Sequence, residues 1–540
     1  MPLTDSTEPR DAEQAAVLTF LAGSTGLAQE GPCRRIDTHA ASIFLAGDRA
    51  WKLKRAVRYP YLDFSTPERR RAALEAELRL NRRTAPCLYR TVHPITCMDG
   101  KLAIGGTGSP VDWILEMRRF PDGALLDELA GEGPLDAALM MRLADRIHAF
   151  HEEAEAVVMP DGATRFREVV EGNAESLRPF VAELGEERVT RLLDTQRAVL
   201  TRHAALLDAR GRKGKVRHVH GDLHLANVAL VEGEPTPFDC LEFSVDLATT
   251  DTLYDLAFLL MDLWHRDLRT EANLVFNRYI DLSGDEDGVR LLPLFASVRA
   301  TIRAHVLAAT AARSGDAADA HLAADFLALA ERSITPAAPI LVAIAGLSGT
   351  GKSAVSRALG GALGAIPGAR VLRSDVLRKR LAHVPPEERL PASFYSPLAS
   401  RTVYALLADL AGRHLHHGIS VIVDAVAAEA DQRAGIAHVA AHAHAPFVGL
   451  WLEALEDVRL SRVCARAADA SDADAAVVVA QSEVHAPLPK DWRRLDAEMA
   501  LPEVVARALR LIGDAWPARE RSHASVAPER GSGRHRARAR

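Results

Sequence analysis

Cysteine is scarce and unpatterned in this chain. The five cysteines, Cys33, Cys87, Cys97, Cys240 and Cys464, are odd in number, widely spaced and form no CxxC pair. That pattern argues against a disulfide framework and against a structural zinc site. Long apolar runs are missing too. The segment LYDLAFLLMDLW (253–264) is too short to span a bilayer and carries Asp255 and Asp262. The opening MPLTDSTEPRDAEQ is polar and acidic, with no apolar signal core. Nor is there a large charge of one sign. A net charge of -6 gives no electrostatic case for nucleic-acid binding by the chain as a whole. The expectation is a cytoplasmic protein with neither membrane nor nucleic acid as a partner.

What is present points to more than one globular domain. At 540 residues the chain is too long for a single hydrophobic core, and its 48% hydrophobic and 26% charged residues are ordinary for globular protein. Residues 1 to about 30 read as a capping helix or leader. ASIFLA and RAWKLK flank Gly47-Asp48, a hairpin signal. Helical spacing follows over 67–83, with Pro67 in the first turn. Strand-like runs recur at 91–96 and 113–117, and 135–208 is mostly helical. Short strands are then expected in KVRHVHGD, NVALVEG and TPFDCLEF, with helix again to about 333. SITPAAP (333–339) breaks the pattern and marks a boundary. Beyond it ILVAIAG, ISVIV and FVGLWL alternate with helical segments, the signature of a parallel α/β sheet. The expected division is 1–335, 336–515 and a disordered, arginine-rich tail over 516–540. No internal repeat links the two halves.

In the second half, Gly346-Leu347-Ser348-Gly349-Thr350-Gly351-Lys352-Ser353 fits GxxxxGK[ST] in full, after an apolar strand and before a helix. Backbone N–H groups of such a loop close around phosphate oxygens, and the helix N-terminus adds a favourable dipole. Lys352 is expected at the β- and γ-phosphates and the Ser353 hydroxyl on Mg²⁺. In VLRSDVLRKRL, Asp375 is placed to orient or deprotonate an acceptor hydroxyl, with Arg378 one helical turn on to hold a phosphate. Ser374-Asp375 also has the character of a helix N-cap. Asp424 ends the strand VIVD, where a Walker-B-type metal carboxylate or an acceptor-site carboxylate belongs; the plainer reading is a loop aspartate satisfied by its own turn. Arg462 and Arg466, at i, i+4, precede the acidic ADASDADAAV and read either as lid arginines over the phosphates or as a solvated face. This half resembles the P-loop kinases grouped around gluconate kinase, polynucleotide 5′-kinase and zeta toxins, over about residues 338 to 490.

In the first half, His220-Gly221-Asp222-Leu-His224-Leu-Ala-Asn227 is followed by Asp239 in FDCLEF. HGDxxxxN with a later aspartate resembles the catalytic loop and metal-binding aspartate of aminoglycoside phosphotransferases and related protein-kinase-like enzymes. The resemblance implies Asp222 at the acceptor hydroxyl, Asn227 and Asp239 on Mg²⁺, and Asp255 bracing the loop. A kinase-like fold also needs a strand lysine paired with a helix glutamate. Lys52 and Lys54 share one strand face, and Glu75 and Glu77 lie on the next helix. Lys52 with Glu77 is the favoured pair for ATP binding, with Lys54 left open. WILEMRRFPDG would supply the hinge, with Glu116 to Met117 passing the adenine. A GxGxxG loop is missing, which favours the aminoglycoside phosphotransferase-like branch.

The histidines have a plainer reading. His414, His416, His417, His438, His442 and His444 crowd the second half. His438 and His442 have a zinc-compatible spacing but no third ligand, so exposed helical histidines are expected. His148 and His151 are expected to be structural.

The order of the two modules resembles a bacterial family of bifunctional aminoglycoside phosphotransferase-like/P-loop ATP-binding proteins. The implied fold class is an N-terminal α+β protein-kinase-like domain followed by a C-terminal α/β P-loop NTPase with a parallel sheet. The implied activity is ATP- and Mg²⁺-dependent phosphoryl transfer to small-molecule hydroxyl groups. Two alternatives stand beside it: one domain as a nucleotide sensor for the other, or a P-loop domain that phosphorylates a nucleotide or polynucleotide. Fold alone does not set the acceptor.

Overall fold

A computed structural model describes residues 11–23, 26–27, 32–38, 40–59, 62–465, 469–481 and 487–516. The first domain begins with a six-stranded antiparallel sheet. Its spatial order is Cys33–Asp37, Ala41–Ala46, Arg49–Lys54, Ser109–Arg118, Tyr89–Met98 and Lys101–Ile104. The hairpin at Gly47-Asp48 pairs Ile43 with Lys52 and Ala41 with Lys54, which sends both lysines to one face. On that face lies the helix Pro67–Asn81, capped by the Thr66 side chain and started by Pro67. The strand Ser109–Arg118 pairs on both sides through Glu116 and Met117. These two residues are therefore committed to the sheet, and the connection to the helical lobe begins beyond Arg118. Glu116 and Met117, expected at the hinge, lie at the end of this strand, directly before that connection.

The helical lobe is built from Ala137–Glu153, Gly162–Leu177, Glu186–Arg212, Thr252–His265, Arg269–Ser283, Leu292–Ser314 and Ala317–Ile334. They share one apolar core that includes Leu143, Leu200, Phe258, Phe276 and Phe295. One stretch, Glu286–Ser314, is long and apolar enough by composition to cross a membrane, although Arg299 and Arg303 interrupt its apolar run. Of its most apolar window 72% is buried inside the fold. It packs against Thr252–His265 and Ala317–Ile334 as the central helix of the lobe.

The second domain holds a five-stranded parallel sheet in the order Arg370–Arg373, Val421–Asp424, Leu341–Gly346, Phe447–Glu453 and Trp492–Asp496. All six residues of Leu341–Gly346 are buried, as an apolar run in a doubly covered parallel sheet must be. Leu501–Ala515 packs on one face of the sheet. Trp516, assigned to the tail from sequence, is 2% exposed and belongs to this core. The remainder of the expected tail, 517–540, lies outside the described residues.

The two domains meet through a polar, buried seam. Glu286 accepts from Arg370 through both oxygens (3.1 and 2.9 Å) and from His414 Nε2 at 2.9 Å. Asn277 Oδ1 accepts from the Val371 backbone at 2.8 Å, and Asn273 donates to the Pro367 and Ala369 carbonyls. His414 is thus a buried interface residue, not the exposed helical histidine expected. The neighbouring Asp285 turns the other way and binds Arg210, which also grips Asp251 at the start of Thr252–His265.

Candidate active sites

In the first domain one ion cluster joins three elements. Lys52 Nζ lies 2.7 Å from Glu77 Oε1 and 2.5 Å from Asp239 Oδ1. Lys54 Nζ lies 2.6 Å from Glu77 Oε2 and 2.5 Å from Glu242 Oε1. Both lysines left open by the sequence therefore meet Glu77, while Glu75 points outward to Arg71. Only Lys52 also reaches Asp239. Burial alone would lower the Lys52 pKa, but Asp239 and Glu77 overcome it and hold the ammonium above its ordinary range. Asp239 has φ of +62°, a left-handed backbone unusual for a non-glycine residue. Such strain at a charged residue in a cleft is characteristic of functional positions.

The loop of HGDxxxxN lies against this cluster. Gly221 has φ of +83°, and a Cβ there would stand 2.9 Å from the Leu241 Cβ, so glycine is required. Asp255 accepts from Gly221 N (2.8 Å), His220 N (3.3 Å) and His151 Nε2 (3.1 Å), which fixes the loop from below. Arg299 donates to the Gly221 carbonyl at 3.2 Å. Asn227 Nδ2 donates to Asp222 Oδ2 at 2.9 Å, and His224 stands 3.5 Å from the same carboxylate. Desolvation raises the Asp222 pKa, but His224 and His220 outweigh it and keep the carboxyl below its usual range. Asn227 bonds Asp222, and Asp239 lies near enough to feel the Asp222 charge; carboxylate and amide oxygens of this kind suit a hard divalent cation.

In the second domain the loop 346–353 links strand and helix as its motif requires. Gly349 has φ of +85°, and a Cβ would stand 2.6 Å from the Arg459 carbonyl oxygen. Ser353 Oγ donates to Asp424 Oδ2 at 2.6 Å, placing at one point the hydroxyl and carboxylate that could hold Mg²⁺. Lys352 Nζ donates to the Leu347 carbonyl at 3.0 Å, folded over its own loop. Ser374 and Asp375 open the helix Ser374–Leu381, but its N-cap is Arg373 with no side-chain cap bond, so the capping reading fails. Asp375 instead hydrogen-bonds Ser471 and feels the charges of Arg373, Asp424 and Lys352. Burial, joined by Asp424, raises its pKa against the pull of Arg373 and Lys352. Arg378 donates to the Phe394 carbonyl at 2.5 Å and lies 4.6 Å over the Tyr395 ring. Arg462 donates to Ala497 O (2.8 Å) and Thr350 O (3.4 Å), bridging the phosphate loop to the end of the last strand. Arg466 lies outside the described residues. An open cleft of about 1270 Å³, lined by Leu347, Thr350, Trp451, Arg459 and Asp496 among others, runs from the loop along the sheet edge.

Several participants carry no signal in the sequence. Asp469 binds Arg373 through both oxygens (3.0 and 2.9 Å) and Arg357 at 3.2 Å. Arg373 in turn donates to Ser353 Oγ at 3.2 Å and lies 3.4 Å from Asp424. Asp472 accepts from Lys379 and from Tyr395 Oη. Gln481 Oε1 accepts from Ser348 N–H at 2.8 Å, a position suited to a phosphate oxygen. The acidic stretch is therefore pinned to the site by charge pairs rather than left loose. Glu242 was missed as well, although its place three residues after Asp239 was a usable signal. Among the described residues no three His, Cys, Asp or Glu side chains converge on a metal-sized site. Both candidate cation positions rest on carboxylate with amide or hydroxyl oxygens, to be completed by water and phosphate.

Known proteins are similar to all or part of this chain. Residues 341–488 match the model of an AAA domain family. Uncharacterized protein Rv2004c of Mycobacterium tuberculosis is 30% identical over 469 residues, covering 84% of this chain and 90% of the relative. Uncharacterized protein Mb2027c of Mycobacterium bovis matches to the same extent. Among solved structures, a choline/ethanolamine kinase family protein from Mesorhizobium loti is similar at 14% identity and TM-score 0.37, over 60% of this chain and 94% of that one. A gluconokinase from Sinorhizobium meliloti is similar at 21% identity and TM-score 0.25, over 34% of this chain and 95% of that one.

Proposed function

The chain belongs to the bacterial family that joins an aminoglycoside phosphotransferase-like domain to a P-loop ATP-binding domain, and on that footing we propose that it is an ATP-dependent phosphotransferase with two active sites, each acting on a small-molecule hydroxyl group. The observation that carries this reading is Lys52, which joins the helix glutamate Glu77 to the loop aspartate Asp239. A lysine in that position can turn to the phosphates while Glu77 keeps it oriented.

In the first domain Asp222 accepts the proton of the acceptor hydroxyl. The acceptor oxygen forms its bond to the γ-phosphorus as the bond from that phosphorus to the bridging oxygen breaks, and ADP departs. Asn227 and Asp239 would hold Mg²⁺, which when bound neutralises charge on the phosphates. In the second domain Asp375 takes the same role toward its own acceptor. Lys352 and the loop amides cradle the phosphates, Ser353 and Asp424 would hold the cation, and Arg378 and Arg462 would reach for phosphate oxygens. The positioned bases each contribute about 10²–10⁴-fold.

The test is transfer from γ-labelled ATP into a metabolite extract, with products identified by mass spectrometry. Labelled phosphate esters support the reading, and label released only as inorganic phosphate contradicts it. The seam at Glu286 and Arg370 favours a second reading, in which one domain senses nucleotide and gates the other. ATP-dependent change in one site without any phosphorylated product from the other would select it.

A further inference from the structure

The first domain buries more charge than the proposed chemistry uses. Lys52 alone meets the requirement for a strand lysine that spans a helix carboxylate and the phosphate-side aspartate. Yet Lys54, two residues on, is 2% exposed and equally committed. Its Nζ touches Glu77 Oε2 at 2.6 Å and Glu242 Oε1 at 2.5 Å, and lies 5.4 Å from the centre of the Phe64 ring. Enclosed in this way, Lys54 has no path to a phosphate. Burying such a pair is weak support for stability, since replacement of a buried ion pair by apolar groups is often neutral or stabilising. The pair calls for another explanation.

Glu77 supplies one. Its two oxygens are divided between the lysines, Oε1 to Lys52 and Oε2 to Lys54. Lys52 is also drawn to Asp239, so its hold on Glu77 is shared with a residue that must turn toward cation and phosphates during the proposed reaction. The ion pair between Lys54 and Glu77, a contact of charge without hydrogen-bond geometry, depends on neither. Glu242 anchors Lys54 from the same loop that carries Asp239, so strand, helix and loop close into one ring of charges: Lys52, Glu77, Lys54, Glu242 and, three residues back along the chain, Asp239.

We propose that Lys54 and Glu242 are positioning residues that hold Glu77 through its second oxygen, so that Lys52 stays aimed at the phosphates when Asp239 leaves it for the cation. The proposal rests on the reading of the first domain as an ATP site. It assigns Lys54 no contact with the nucleotide. The pair acts through Glu77, and its loss lets the Lys52 ammonium wander. A displacement of about 1 Å at a reacting centre can cost roughly 100-fold in turnover.

The experiment uses the full-length protein carrying Lys352→Ala, so that nucleotide binding reports the first domain. Lys54→Met, Glu242→Gln, the double variant Lys54→Met/Glu242→Gln and Lys52→Met are compared by Mg²⁺-dependent affinity for a fluorescent ATP analogue, by ATP turnover and by thermal midpoint. Lys54→Met should lower turnover roughly 100-fold and lower the midpoint, because Glu242 is left buried without its cation. Glu242→Gln keeps the shape and should stay folded, with turnover down about 10-fold through looser hold on Lys54. The double variant should recover the midpoint and not the turnover. Recovery of both together, or unchanged turnover in Glu242→Gln, would overturn the proposal and make the pair merely structural. If Lys52→Met binds and turns over ATP like its parent, the reading of the first domain as an ATP site is what fails.

Discussion

Glu286 holds Arg370 across the domain boundary with two parallel bonds of 3.1 and 2.9 Å, and Arg370 is 1% exposed. Arg370 begins the strand that ends at Arg373, beside Ser353 and Asp424. Asp285, the residue before Glu286, reaches through Arg210 to Asp251, which caps the helix carrying Asp255 under the HGD loop. A continuous set of buried ion pairs and regular elements thus runs between the two candidate sites.

The first prediction concerns that seam. Glu286→Ala leaves Arg370 buried with reduced compensation, a loss of about 3–5 kcal/mol. Calorimetry should show one unfolding transition for the parent and two separated transitions for the variant. The carboxyl of Glu286 is depressed by Arg370 and His414 despite its burial. Its contribution is therefore full above the ordinary carboxylate range and is lost as pH falls toward the depressed value. A variant with a single, unshifted transition would remove the seam from the account.

Protonation should separate the two activities. The Asp375 carboxyl is raised by burial and by Asp424, whereas the Asp222 carboxyl, whose side chain is 41% exposed, is lowered by His224 and His220. Each base works only when ionised. As pH falls, transfer by the second domain should fail first, and transfer by the first should persist further into acid. Rate profiles of the Asp222→Ala and Lys352→Ala proteins check this, and coincident acid limbs would count against the assignment of the bases.

The acidic stretch around Asp469 should compete with ligand. Asp469 occupies Arg373 and Arg357 where charge of the same sign would arrive with a phosphate. Asp469→Ala removes a largely buried competitor, for which the about 1 kcal/mol of an ion pair in bulk water is a lower scale. Titration calorimetry of Asp222→Ala/Asp469→Ala against Asp222→Ala should show at least about fivefold tighter ATP binding, with turnover lower because the stretch has lost its anchor. Unchanged affinity would show that Asp469 does not stand in the phosphate path.

Local features were legible in the sequence. The phosphate loop, HGDxxxxN and the lysine strand are defined by short spacings, and the alternation that puts Lys52 and Lys54 on one face is the same alternation that pairs them with Ile43 and Ala41. Charge partners far apart along the chain were hidden. Nothing near Glu286 pointed to Arg370, 84 residues away, and nothing near Asp469 pointed to Arg373. The edge strand Trp492–Asp496 was missed because WRRLD is charged, as exposed edges tend to be. The capping alternative for Ser374-Asp375 fails because the helix already begins at Ser374, with Arg373 at its N-cap.

The central claim is that one chain carries two independent phosphoryl-transfer sites. Labelled products from ATP and a metabolite extract should be compared for the parent, Asp222→Ala and Lys352→Ala. The account predicts that each substitution removes a different labelled product and spares the other. Loss of every product in one variant with no loss in the other would contradict it and leave a single active site.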